Sequence, residues 1–173
     1  MQQEILINSS LAPTLKRRLI CMIYEALLVF GIIFVAVLVF DAATQNIRTI
    51  DLHYFREIWI FAIVGLYFVF FWVRTGQTLA MKTWRIRVED KEKRQLPLTR
   101  AIVRYCLAWM WFLPGLALSA QYKLSPLNSL IIVSIGFLLW ALTATFDSDK
   151  QFFHDKLAKT RLVLVTVDLP PKI

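Results

Sequence analysis

Glu25 is the one carboxylate in "RRLICMIYEALLVFGIIFVAVLVF", residues 17–40, and it stands seven positions past Arg18. A charge at the centre of a hydrocarbon span costs about 2.5–3.5 kcal/mol on the insertion scale. The fifteen Leu, Ile, Val and Phe residues of the run each return roughly 0.3–0.6 kcal/mol, so the segment still inserts. Positions i and i+7 share a helix face, about 10 Å apart along the axis. Arg104, in "AIVRYCLAWMWFLPGLALSA", lies at a similar distance from the start of its own run and is the expected partner of Glu25. Further along, "TFDSDKQFFHDK" supplies Asp147, Asp149, His154 and Asp155. The expected constellation is a polar cluster of Arg18, Glu25, Arg104, Asp147, His154 and Asp155 at one membrane face. Its chemistry is that of a carboxylate shared among arginine, a proton and a cation. The same residues can equally lock helices together through interhelical polar contacts.

Other chemistries lack their residues. There is no nucleophile elbow, phosphate-cradling glycine loop or zinc signature, so neither an enzyme nor a cofactor is expected. "GQTLAMK" lacks the second glycine and the Gly-Lys-Ser/Thr ending of a phosphate loop. The His154–Asp155 pair falls short of the three or four ligands of a metal site, and His154 is read as a capping or packing residue. Cys21 and Cys106 both lie in apolar runs and read as small buried hydrophobes.

The elements that must position the cluster follow from hydropathy. Of 173 residues 58% are hydrophobic, above the roughly 45–50% of a soluble domain, and the mean hydropathy is +0.57. Four apolar runs, at about 19–40, 58–73, 101–120 and 129–146, approach the roughly 17–25 residues of a spanning helix. The first is too long for a signal peptide's apolar core and reads as a retained helix. Pro114-Gly115 marks a kink or a break in the third. Alternate loops hold sixteen basic residues against three, which places both termini and the middle loop in the cytoplasm. The net charge of +8 is therefore read as topology, with no nucleic-acid partner expected. In the middle loop, Leu79 to Met81 read as a short helical turn, and Trp84, Ile86 and Val88 as a strand of period two. The β-branched stretch from Thr160 to Val167 reads as a second strand, paired with the first beneath the membrane.

The chain resembles the RDD family of small bacterial membrane proteins, named for one arginine and two aspartates. "RRLICMIYEALL" is similar to the family's first-helix signature, an arginine with an acid seven positions on. "GQTLAMKTWRIRVED" is similar to its Gly-x-Thr-x-Gly-Lys stretch leading into a strand. "LTRAIVRY" resembles the start of its third helical segment, and "FHDKLAKTRLV" its His-Asp motif followed by a threonine and a strand. The resemblance implies Arg18 as the family arginine and Asp155 as the second aspartate. Glu25 replaces the first aspartate, which keeps the charge and adds a methylene. Ala80 stands for the second glycine, with Met81 before Lys82. The resemblance also implies a cytoplasmic (inner) membrane location and transport of unidentified ligands, or cation/proton exchange as in some members.

The expectation is thus an all-α membrane protein with a single domain over 1–173. It has four transmembrane helices, both termini cytoplasmic and a small cytoplasmic two-strand element. Two functions remain open. One is a transporter or monovalent cation/proton exchanger, homo-oligomeric because four short spans leave little room for a path. The other is an accessory or assembly factor of a larger membrane complex, with exposed Phe70, Phe71 and Trp72 as helix contacts. The expected surroundings are the lipid bilayer in either case.

Overall fold

The computed structural model describes residues 12–45, 52–90, 95–110, 112–146 and 152–165. The chain begins with α1 (Leu15–Thr44), whose first turn is capped by Thr14 accepting from the Arg17 backbone N–H at 3.4 Å. It continues through α2 (His53–Thr75), the short α3 (Leu79–Thr83) and β1 (Ile86–Asp90). Then come α4 (Leu98–Ala108), α5 (Phe112–Gln121), α6 (Pro126–Phe146), the short α7 (Phe153–Leu157) and β2 (Thr160–Leu164). Among the described residues, three helical segments are long and apolar enough to cross a membrane: Leu15–Thr44, His53–Thr75 and Leu98–Gln121. Pro126–Leu142 is a shorter apolar stretch within α6. The long helices turn large apolar side chains outward, with Leu27 67% and Phe30 71% exposed. Such a surface is stable in lipid and not in water.

The third apolar run is not one helix. α4 ends at Ala108, and the Trp109 and Met110 backbone N–H groups bond to Cys106 and Leu107 in tightened turns. Pro114 explains the break. It has no N–H, and its ring excludes a helical carbonyl four residues earlier, at Met110. Pro114 and Gly115 themselves sit in the first turn of α5, so the interruption lies upstream of the Pro-Gly pair.

α1, α2 and α4 are stitched by side chains reaching backbone. Trp59 Nε1 donates to the Ala36 carbonyl at 3.0 Å, and the Tyr105 hydroxyl to the Phe61 carbonyl at 2.8 Å. Gly65 allows α4 to come close, since a Cβ there would lie 2.8 Å from the Tyr105 ring. α4 buries Ala101, Arg104 and Tyr105, the i, i+3, i+4 stripe of one helix face, while Ile102, Val103 and Cys106 stay exposed. Of the two cysteines only Cys21 is buried.

The two strands form an antiparallel pair with Ile86 opposite Leu164, Val88 opposite Leu162 and Asp90 opposite Thr160. Each is reached in the same way. A five-residue helix leads into a two-residue turn, whose second residue has positive φ (Arg85 and Lys159, both 54°), and then into a five-residue strand. The two units, 79–90 and 153–164, are related by an approximate two-fold through Val88 and Leu162, although their sequences share no visible repeat. The strands bury Ile86, Val88 and Val163 beside Glu89, Asp90 and Thr160. Arg161 pairs with Glu89 at 3.3 Å, and Arg100 at the start of α4 pairs with Asp90.

Gly76 closes α2 with φ 70° and presents its carbonyl to the Val88 N–H at 2.8 Å. A Cβ at this position would lie 2.9 Å from the Val88 carbonyl oxygen. Gly76→Ala is expected to cost at least about 1–2 kcal/mol. In detergent this reads as a lowered thermal midpoint, and an unchanged midpoint would show that the α2–β1 corner bears no strain.

Candidate functional site

Arg104 projects from the buried face of α4 and is 6% exposed. Its Nη1 bonds to Asp155 Oδ1 and lies 3.0 Å from Thr160 Oγ1. Asp155, fully buried, sits in α7, and Thr160 opens β2, so one guanidinium joins α4 to the last helix and strand. The Thr160 hydroxyl in turn donates to the Asp155 carbonyl at 3.2 Å. His154 approaches the same Asp155 Oδ1 through Nε2 at 3.0 Å, and its ring stacks on Trp140 and Phe152 within 18° of parallel. The Arg104 guanidinium lies over the Trp72 ring, 4.9 Å from its centroid. Arg18 is buried too. Its Nε donates to the Pro13 carbonyl at 2.9 Å, and its guanidinium is 5.3 Å from the Phe152 ring centroid.

Glu25 is held elsewhere. Tyr67 of α2 donates to its Oε1 at 2.7 Å, and the fully buried Thr78 donates to its Oε2. Thr78 also accepts the Met81 N–H at 3.2 Å as the cap of α3. The expected Glu25–Arg104 ion pair is therefore corrected: the carboxylate takes two hydroxyls and the guanidinium takes Asp155. The reason is local. Asp155 and Thr160 are fixed beside α4 by the α7–β2 turn, and Thr78 is fixed beside α1 by the α2–α3 corner. Each charge thus meets a partner its own neighbourhood supplies.

Four of the six residues expected at the site, Arg18, Glu25, Arg104 and His154, line one cavity of about 350 Å³. Asp155 lies directly behind Arg104 and His154, and Asp147 and Asp149 fall outside the described residues. The remaining wall is apolar and aromatic, including Phe68, Trp109 and Trp140. On α1 the lining runs from Arg18 to Val29, about 16 Å along the helix. Trp72, expected on the outside, is 6% exposed and part of this wall, whereas Phe70 does face outward. Among the described residues no group of three His, Cys, Asp or Glu side chains could hold a metal.

A profile of the RDD family matches residues 12–159, a stretch that contains Arg18, Glu25, Arg104, His154 and Asp155 and ends one residue before Thr160. The chain belongs to the RDD family. No curated protein and no solved structure matches this RDD protein. The resemblance implied Arg18 and Asp155 as the family arginine and second aspartate; the guanidinium that bonds to Asp155 is that of Arg104. Sequence reasoning missed Tyr67, Thr78, Trp72 and Thr160. The family-like "GQT" and the threonine after "HDK" carried a signal for two of these, whereas nothing marked Tyr67 among its aromatic neighbours.

Burial would raise the Asp155 carboxyl, but Arg104, then His154 and Arg18, outweigh it and hold it below its ordinary value of 3.8. The folded protein then keeps Asp155 ionised where the unfolded chain takes up a proton. The stability this group contributes is full above about pH 3.8 and is lost as pH falls through the depressed value. Asp155→Asn is expected to lose about 3–5 kcal/mol at neutral pH by stranding Arg104, and to show a shallower acid slope in melting. Equal slopes would remove Asp155 as the anchor.

Proposed function

We propose that this RDD protein transports a small organic ligand across the bilayer, with the cavity between its helices as the binding chamber. The supporting observation is the chamber itself. Polar contacts that only hold helices together need no space between them, whereas this cluster borders an open volume of about 350 Å³ with apolar walls. Its size lies at the lower end of the roughly 300–1,000 Å³ of small-molecule pockets. In this reading the chain spans the bacterial cytoplasmic membrane four times, α6 being the fourth span, with both termini on the cytoplasmic side. The basic-residue asymmetry of the loops supports that orientation. The strand pair then lies on the cytoplasmic side and ties the middle loop to the tail.

Cys21 lines the chamber, and Cys106 faces outward, so Cys106→Ser leaves a single thiol in the chamber. Transport requires the chamber to open to each side in turn. Membrane-impermeant thiol reagents are expected to modify Cys21 when added to either face of oriented proteoliposomes. Modification from one face alone would defeat transport and favour an accessory protein that co-purifies with a stoichiometric partner.

A second reading, exchange of monovalent cations for protons, is favoured by the grouping of the Glu25 carboxylate with the Tyr67 and Thr78 hydroxyls. Four oxygens from three residues suit a hard cation or a proton. Pulses of sodium, potassium or lithium are then expected to move protons in dye-loaded liposomes, and Glu25→Gln to abolish the signal. Undiminished flux in that variant would exclude the exchange reading.

A further inference from the structure

The basic side chains fall into two sets. Arg100, Arg104 and Arg161 are each paired with a carboxylate, that of Asp90, Asp155 and Glu89 respectively. Arg17, Lys82 and Arg85 have no acidic partner among the described residues. These three share one end of the molecule. Arg17 lies in the first turn of α1, while Lys82 belongs to α3 and Arg85 to the turn that follows it. α1 and α3 pack together there, tied by the bond from Thr78, the cap of α3, to Glu25. Arg17 and Tyr24 are seven residues apart and stand on one face of α1. The Tyr24 ring meets the Trp84 ring edge to face at 6.4 Å, and Trp84 directly precedes Arg85. Lys82 and Arg85 are exposed and Arg17 half-buried, and Tyr24 and Leu79 are 50% and 48% exposed. The edge is thus a run of unpaired cations interleaved with outward-facing rings and a leucine.

We propose that this α1–α3 edge binds an anionic phospholipid headgroup, with Arg17, Lys82 and Arg85 supplying the charge and the Tyr24–Trp84 pair bordering it. Depth supports the assignment. α1 has 30 residues and is about 45 Å long, half again the roughly 30 Å of a hydrocarbon core, so its first turn stands among headgroups. Tyrosine and tryptophan concentrate at that level, where one part of the ring is apolar and the other wet. Charge decides the class of lipid. Three cations without a described counter-charge attract an anion, whereas a zwitterionic headgroup brings a cation of its own. The apolar neighbours decide the source. A free phosphate gains nothing from Leu79 or from the two rings, but a phospholipid sets its acyl chains against them while its phosphate meets the basic groups. None of these six residues lines the chamber, so the headgroup site stands apart from the transport reading.

The test is native mass spectrometry of the detergent-solubilised protein, titrated with phosphatidylglycerol and with phosphatidylcholine of the same acyl chains. Each basic residue beside an anionic headgroup is worth about fivefold in affinity, so three give phosphatidylglycerol about a hundredfold preference. Arg17→Gln, Lys82→Gln and Arg85→Gln are each expected to weaken phosphatidylglycerol about fivefold and to leave phosphatidylcholine unchanged. Arg56→Gln, at the opposite end of α2, is expected to change neither lipid. An excess of inorganic phosphate is expected to leave the lipid adduct in place. Equal affinity for the two lipids would overturn the proposal. A preference for phosphatidylglycerol that survives all three substitutions would place the site elsewhere and overturn it too. A loss in Arg56→Gln as large as in the others would reduce the effect to net charge. Displacement by inorganic phosphate would remove the lipid as the source of the anion.

Discussion

The buried pair of Arg104 and Asp155 is the constraint on which the rest of the fold depends. Charges taken from water are stable only when matched in place, and removing one partner of a buried pair typically costs about 3–5 kcal/mol. Here the match is made across 51 residues of sequence, between a helix of the third apolar run and the short helix after the last one. Thr160 adds a hydroxyl to the same guanidinium, and β2 then leads straight from Thr160 into the strand pair. The position of α4, the turn into β2 and the pairing with β1 are therefore one linked arrangement.

Glu25 supplies the complementary link. Its two oxygens receive hydroxyls from α2 and from the cap of α3, so α1 is tied to the hairpin-like corner that leads into β1. The two acids thus hold the two structurally equivalent helix–turn–strand units, one each. The chamber is the space that remains between these ties, and its walls are rings because rings fill irregular gaps between helices with few rotatable bonds.

The apolar helices and the strands were legible in the sequence because they rest on period and length, and three of the four expected spans are long and apolar enough to cross a membrane among the described residues. The apolar runs read as helices, Ile86 and Val88 marked β1, and the β-branched run from Thr160 marked β2. Arg18, Glu25, Arg104, His154 and Asp155 stood out because charge is rare in apolar surroundings. The pairing among them was hidden. Depth along a span places Glu25 and Arg104 at similar height, but partner choice depends on helix rotation and on turns such as 158–159 with Lys159 at positive φ. The break in the third run was expected at Pro114-Gly115 and lies a turn earlier, because proline acts on the carbonyl four residues behind it. Tyr67 was one tyrosine in an aromatic span, and only the fold shows that it faces a carboxylate.

The distance between Arg104 and Asp155 along the chain has a consequence for biosynthesis. At about 5–20 residues per second, the ribosome adds the 51 residues between them in about 3–10 s. Throughout that interval α4 carries an arginine whose carboxylate has not yet been made. The helix has reason to wait at the membrane surface, where water still solvates the guanidinium, until the C-terminal segment emerges and folds against it. The segment around Asp155 is thus a late-arriving counter-charge, and a product cut short before it leaves the Arg104 guanidinium without that carboxylate.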